Sequence, residues 1–225
     1  AAVPWRVLSD AGHDVQFATA DGAVGACDPE MLTGVLLGQV KALPAHAADY
    51  ARMAQCEAFA APMRFAELDP AAHDLLVLPG GHASGMRPYL EDPDLQAAVG
   101  RFFAAEQRIG AICHGTVVLA RSTHPESGKC VIEGSALATL PKRFEMGAWV
   151  LTKPTRGDYF RTYPVWVEDE VRAGQSVELT LLSGGLLTGV VQTKGTKEPV
   201  PGAKVTVRRR KGTWSATATA ASTPS

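Results

Sequence analysis

The residues best suited to covalent chemistry are Cys113 and His114, adjacent in the run Ala111-Ile112-Cys113-His114-Gly115. The run follows a short apolar segment and precedes a second one, Thr116 to Arg121, so it reads as a strand, a sharp turn and a helix. Such a turn needs small residues nearby and projects its central side chain from the sheet edge. It also sets the sulfur close to a helix N-terminus, whose dipole and amides favour thiolate. An imidazole titrates near about 6.5 and exchanges a proton with a thiol after modest tuning. The competing reading of Cys113 is an inert core cysteine in an apolar stretch.

A second group decides between them. Leu78-Pro79-Gly80-Gly81-His82 closes another apolar run, Asp74 to Gly81. Ligands of open α/β sheets bind beyond the carboxyl ends of the strands, so this loop and Cys113 are expected to share a crevice. Gly80 and Gly81 let backbone N–H groups approach an oxyanion, with the His114 amide as natural partner. Gly115 belongs to the same oxyanion and substrate-binding group; His82 is a candidate to line the pocket or meet a substrate oxygen, the competing reading being a solvated loop histidine.

The elements that must hold these residues follow from periodicity. Ala1 to Ala11 reads as a helix ended by Gly12, and Val15, Phe17 and Thr19 begin an extended segment. Residues 21–70 carry Gly-rich turns and apolar-periodic stretches, Leu32 to Val40 and Tyr50 to Phe59, broken by Pro44 and Pro62; they read as a helical lid. The run Asp74 to Gly81 is a short continuous apolar strand ending in glycines, of the kind buried on both faces. Asp92 to Gln107 opens with the Asp-Pro of a helix start, and Ile109 to Ile112 is a second strand. The fold class is therefore α/β, a parallel sheet sandwiched by helices.

Beyond about residue 172 the composition changes to Val- and Thr-rich stretches punctuated by Gly and Pro. The expected organisation is an α/β domain over 1–172, a linker over 173–186, a short partial all-β segment over 187–212 and a flexible tail over 213–225. From Ser215 the tail is Ala, Thr, Ser and Pro alone.

Composition narrows the function. The 225 residues are 46% hydrophobic and 20% charged with a net charge of −1, which excludes a disordered chain and a polyanion binder. Neither nucleic acid nor a membrane is an expected partner: no uncharged apolar run approaches the roughly 18 to 20 residues that span a bilayer. No signal-peptide pattern opens the sequence, so a cytoplasmic location is expected. Cys27, Cys56, Cys113 and Cys130 form no CxxC pair, and His13, His46 and His73 share no ligand spacing, so no metal site is expected. Asp28 and Glu30 read as turn and helix-start residues, Cys130 as a core residue in an apolar strand, and Arg161 and Tyr163 as surface packing. Arg208-Arg209-Arg210-Lys211 reads as a solvated strand end.

LPGGHASG followed by AICHG resembles the ThiJ/PfpI branch of the class I glutamine amidotransferase-like superfamily, as do the opening AVPWRVLSDAGHDVQFATADG, LPKRFE and RTYPVWVEDEV. That branch holds glyoxalase III-type enzymes, deglycases, holding chaperones and intracellular peptidases, and the resemblance implies a flavodoxin-like fold. It makes Cys113 the nucleophile, His114 its neighbouring base and Glu145 the carboxylate that orients that histidine, the GKCVIEG strand and LPKRFE turn returning the chain to the crevice. It implies a cysteine-dependent enzyme without a cofactor acting on a small reactive carbonyl or a glycated substrate. The glyoxalase III-like conversion of methylglyoxal to lactate leads, deglycase, peptidase and other hydrolase activities stay open, and so does a homodimer. A non-catalytic redox-sensing or chaperone protein using the same thiol, or an inactive truncated member, are the alternatives. Glutaminase chemistry is not expected, because the H-x-E at His124-Pro125-Glu126 follows Cys113 too closely.

The superfamily usually carries a glutamate after its first strand. Matched through Val3-Pro4, that acid falls one place before Ala1, so the sequence reads as an N-terminally incomplete member whose neighbouring strands would expose unpaired backbone. LLTGVVQTKGTKEPVPGAKVTVRRRKG resembles the opening strands of a carboxypeptidase regulatory-like, transthyretin-type β-sandwich.

Overall fold

The computed structural model describes residues 1–34, 41–175, 204–208 and 215–219. Helix α1 (Ala2–Asp10) ends at a turn in which Gly12 takes a φ of 87°, and strand β1 (Ala18–Thr19) follows. Residues 21–70, expected to form a lid, supply α2 (Pro29–Thr33), α3 (Pro44–Met53), α4 (Glu57–Ala60) and β2 (Met63–Arg64). Pro44 does not break a helix there; it starts α3, where its missing N–H costs nothing. Residues 35–40 of the expected Leu32 to Val40 stretch lie outside the described residues.

The strand, helix, strand unit forms as expected. β3 (Leu75–Leu78) is followed by a one-turn helix, α5 (Arg87–Glu91), then α6 (Pro93–Ala104) and β4 (Arg108–Ala111). Asp92 caps α6 by accepting the Leu95 N–H at 2.9 Å, and Pro93 occupies its first turn. β3 and β4 pair in parallel from Leu75 opposite Arg108 to Leu78 opposite Ala111. Helices α7 (Gly115–Arg121), α8 (Lys142–Arg156) and α9 (Val167–Gln175) complete the α/β domain, with α9 running three residues beyond the expected boundary at 172.

Leu78, Leu95, Val99, Phe102, Val117 and Val118 form the centre of the main core, each at most 1% exposed. Each such side chain contributes about 1.5–3 kcal/mol by leaving water. Trp5, Met53 and Phe59 form a second cluster that fastens α3 and α4 to α1. Ion pairs from Arg6 to Asp49 at 3.1 Å and from Arg52 to Asp10 at 2.8 Å lie over the same contact.

The parallel sheet is divided. Among the described residues β1 pairs with β2, and β3 with β4. A cavity of about 720 Å³ is lined both by residues 13–18 and by residues 74–79, with Trp5 and Leu8 of α1 and Leu95 and Phe102 of α6 also on its walls.

Two expectations about local structure fail. GKCVIEG is not a strand: Cys130 makes a single antiparallel bridge to Thr123, and positive φ values at Gly128 (65°) and Gly134 (70°) turn the chain on either side. Cys130 is half-buried there, its Sγ 3.3 Å from the Ala120 carbonyl. LPKRFE is not a turn either, because Pro141 precedes the first turn of α8 and the remaining residues are helical.

Of the C-terminal segment, β5 (Lys204–Arg208) and β6 (Ser215–Thr219) pair antiparallel, Lys204 opposite Thr219 and Arg208 opposite Ser215. β6 falls within the stretch expected to be a flexible tail; backbone pairing needs no apolar bulk, and Thr at alternate positions favours it. The rest of the transthyretin-like resemblance and the expected linker beyond Gln175 lie outside the described residues.

Candidate active site

The end of β4 turns sharply into α7, and Cys113 sits at the turn with a φ of 54°. This left-handed conformation costs an L-residue roughly 1–2 kcal/mol and persists only where neighbours impose it. Here they do. The Ile112 N–H donates to the Leu78 carbonyl at 3.0 Å and the Gly115 N–H to the Ile112 carbonyl at 2.8 Å. The Cys113 carbonyl accepts from the Thr116 N–H at 3.1 Å and from its hydroxyl at 2.7 Å, and that hydroxyl also lies 2.6 Å from Thr139 Oγ1.

The Gly80 loop packs directly on this elbow. A methyl group at Gly80 would lie 2.6 Å from both Cys113 Cβ and the Ile112 carbonyl oxygen, and one at Gly115 would lie 2.3 Å from the Leu78 carbonyl oxygen. Neither position accepts a side chain without moving backbone. The two loops therefore share one crevice at the carboxyl ends of β3 and β4. The Gly115 amide is engaged within the turn, whereas the Gly81 and His114 amides make no backbone hydrogen bond among the described residues.

His114 begins α7 and is 1% exposed. Its Nδ1 lies 3.4 Å from Cys113 Sγ, and its Nε2 lies 3.5 Å from Oε1 of Glu145, itself 4% exposed. The Nε2 contact is an ion-pair approach without hydrogen-bond alignment, so Nε2 has no hydrogen-bond partner among the described residues. Glu145 stands in the first turn of α8, and its Oε2 accepts the Val167 N–H at 3.0 Å, which fixes the carboxylate. Burial alone would depress the His114 pKa. The hydrogen bond to Cys113 and the interaction with Glu145 outweigh it and raise the imidazole to about 9. The chain thus brings Cys113, His114 and Glu145 into one line of contacts.

His82 forms a wall of the same region. Its ring stacks on Phe160 at 4.1 Å and meets the edge of Tyr159 at 5.1 Å. Burial, then the neighbouring His114 charge, pushes its pKa down to about 4, so it is neutral at physiological pH; its buried Nε2 has no partner among the described residues. The Thr162 hydroxyl donates to the His82 carbonyl at 2.5 Å, and the Arg87 guanidinium donates twice to the Thr162 carbonyl, at 2.6 and 3.1 Å. Tyr159 donates to Asp28, and burial together with that carboxylate raises the phenol. Asp28 also caps α2, accepting the Glu30 N–H at 3.0 Å, in keeping with its reading as a helix-start residue.

Tyr159, Phe160 and Thr162 escaped the sequence reading. Their neighbour Arg161 packs between Trp149 and Trp166 at 5.0 and 4.9 Å, and Tyr163 lies against the Arg121 guanidinium at 4.3 Å, both as packing residues. Glu126 and His124 meet only within their own exposed turn, where the Glu126 N–H donates to His124 Nδ1 at 3.3 Å. No group of three or more His, Cys, Asp or Glu among the described residues is arranged to hold a metal, and no described helix is long and apolar enough to cross a membrane.

Comparison with known proteins agrees with this architecture. A solved structure designated APC35852 is 24% identical over 82% of this chain and 71% of its own, with a TM-score of 0.56. Glyoxalase III (Orf 19.251) from Candida albicans is 17% identical over 80% of this chain and 71% of its own, with a TM-score of 0.51. The Rapid Encystment Protein 24 kDa of Francisella tularensis is 16% identical over 78% and 70%, with a TM-score of 0.57. These likenesses show the fold. No curated protein matches the chain. The model of the family described as ThiJ/PfpI family-like matches residues 1–176, and over that span, elbow included, the chain belongs to the ThiJ/PfpI family.

Proposed function

We propose that the chain is a cysteine-dependent enzyme acting on reactive carbonyls, with a glyoxalase III-like conversion of methylglyoxal to lactate as its leading reaction. One observation carries the reading: a half-buried cysteine in a strained elbow touches a buried imidazole, which in turn faces a buried carboxylate. Glyoxalase III from Candida albicans supports it as a neighbour in fold.

The chemistry balances with water as the only co-reactant. The Cys113 thiolate adds to the aldehyde carbon, forming a C–S bond while the carbonyl electron pair moves to oxygen. The Gly81 and His114 amides face that oxyanion, and imidazolium His114 protonates it to give a hemithioacetal. Neutral His114 then takes the proton from the former aldehyde carbon, and the electron pair passes through an enediol. Return of a proton to the neighbouring carbon leaves a lactoyl thioester; one carbon has been oxidised and the other reduced. A positioned base accelerates such a transfer about 10²- to 10⁴-fold. Water cleaves the thioester, releasing lactate and restoring the thiol. Glu145 holds the imidazole and balances its charge, and His82, neutral with an unpartnered Nε2, offers a hydrogen bond to the second carbonyl. Deglycase or hydrolase chemistry starts from the same thiol with a larger acceptor.

The test is consumption of methylglyoxal and release of lactate without glutathione by purified protein, with Cys113→Ser reducing the rate to background. Unchanged turnover in that variant refutes the mechanism.

A further inference from the structure

Two polar rungs join the elbow to the segment that carries Glu145. One is the approach of His114 Nε2 to Glu145 Oε1 at 3.5 Å, which lacks hydrogen-bond alignment. The other joins the first turn of α7 to the loop that leads into α8, where Thr116 Oγ1 meets Thr139 Oγ1 at 2.6 Å. Its direction follows from the proton count. The Thr116 hydroxyl is already committed as donor to the Cys113 carbonyl at 2.7 Å, and a hydroxyl has one proton. Thr139 must therefore donate. The chain runs from Thr139 through Thr116 to the Cys113 carbonyl, each bond polarising the next. Thr116 is 2% exposed, so water has little access to its oxygen.

Other contacts leave the spacing between these segments open. Leu137 and Leu140 press the loop against the main core, but apolar attraction has no direction and does not fix where the loop sits along α7. Among the described residues, the other polar side-chain ties of the first turn of α8 run to α9. Glu168 accepts the Lys142 N–H at 2.7 Å, Lys142 Nζ donates to Asp169 at 2.6 Å, and Glu145 Oε2 accepts the Val167 N–H. These hold Glu145 against α9, not against His114.

We propose that Thr139 is a positioning residue, whose hydroxyl sets the gap between His114 and Glu145 and, through Thr116, steadies the strained turn that presents Cys113. The inference rests on the Cys113–His114–Glu145 line proposed above as the reactive group. The gap matters because Glu145 supports the imidazolium form where water is shut out. Three titratable groups face His114: Cys113 from the elbow, Glu145 from α8 and His82 from the loop after β3. A wider gap weakens the Glu145 contribution, and the imidazole then loses its proton at lower pH.

The experiment follows the His114 ring by NMR pH titration of the whole chain, its resonance identified by its absence from His114→Gln. Thr139→Val replaces the hydroxyl by a methyl group of similar size, whereas Thr139→Ser keeps the donor. The positioning role predicts a midpoint lowered by about one pH unit in Thr139→Val, a tenfold loss of proton affinity, and a midpoint like the parent's in Thr139→Ser. An unchanged midpoint in Thr139→Val, or an equal fall in Thr139→Ser, overturns it. So does unfolding of both Thr139→Val and Thr139→Ala, seen by circular dichroism, since the bond then holds the fold rather than the gap. The titration uses no substrate, so absence of methylglyoxal turnover refutes the proposed reaction without touching this result.

Discussion

His114 Nε2 lies 3.5 Å from Glu145 Oε1, with both side chains shut off from solvent and the other carboxylate oxygen held by the Val167 amide. A buried carboxylate is tolerable only when it is paired and hydrogen-bonded, so the contact couples the fold to the charge of the imidazole.

The coupling predicts a pH-dependent stability. The His114 pKa rises from 6.5 to about 9 on folding, so its contribution is fully present below pH 6.5 and disappears as pH climbs through 9. The upper bound is about 3.5 kcal/mol, at ~1.4 kcal/mol per pH unit. Urea unfolding between pH 6 and 10 measures it, and Glu145→Gln is expected to flatten the alkaline decline.

The elbow predicts an unusual ranking of inactive variants. Glycine adopts the φ of 54° found at position 113 without a steric cost, and alanine does not. Cys113→Gly is expected to be more stable than Cys113→Ala by about 1 kcal/mol in chemical denaturation, the reverse of the order in a helix or strand. Equal stabilities would mean that the turn relaxes once the thiol is gone.

Crowding at the elbow predicts a second ranking. Gly80→Ala drives a methyl group into Cys113 Cβ and the Ile112 carbonyl and is expected to cost about 1–3 kcal/mol, lowering the melting temperature by several degrees and displacing the thiol. The atoms nearest a methyl group at Gly81 all belong to Met86, whose flexible thioether can swing aside. Thermal unfolding of the two variants side by side should separate them clearly.

The wall around His82 predicts a change in substrate affinity. Tyr159→Phe removes the donor to Asp28 while leaving Asp28 to cap α2. The variant is expected to fold normally and to raise KM for methylglyoxal severalfold with little change in kcat. Asp28→Ala is expected to lose about 0.5–2 kcal/mol of stability in addition, through the missing cap. Steady-state kinetics and melting curves on the pair distinguish wall from cap.

Much of the scaffold was legible because its signals are local. The continuous apolar run Leu75 to Leu78, the Asp92-Pro93 cap and the spacing of Leu95, Val99 and Phe102 each act within one element. Glu145 was reached through family resemblance, and the route to it was misread: a proline before a helix looks like a break when its successors are not weighed as helical. The GKCVIEG stretch has strand composition, but its glycines turn the chain before a partner can pair. Tyr159, Phe160 and Thr162 had no local signature for the site, since their roles depend on Asp28 and His82, distant in sequence.

The clasp of Arg87 on the Thr162 carbonyl, and of the Thr162 hydroxyl on the His82 carbonyl, ties two remote stretches into a single jaw. A bulky guest that pushes on His82 also pushes on stacked Phe160, so room is gained by tilting the whole jaw. Tolerance of large acceptors is then governed by how stiffly that piece is hinged, rather than by the size of any one side chain.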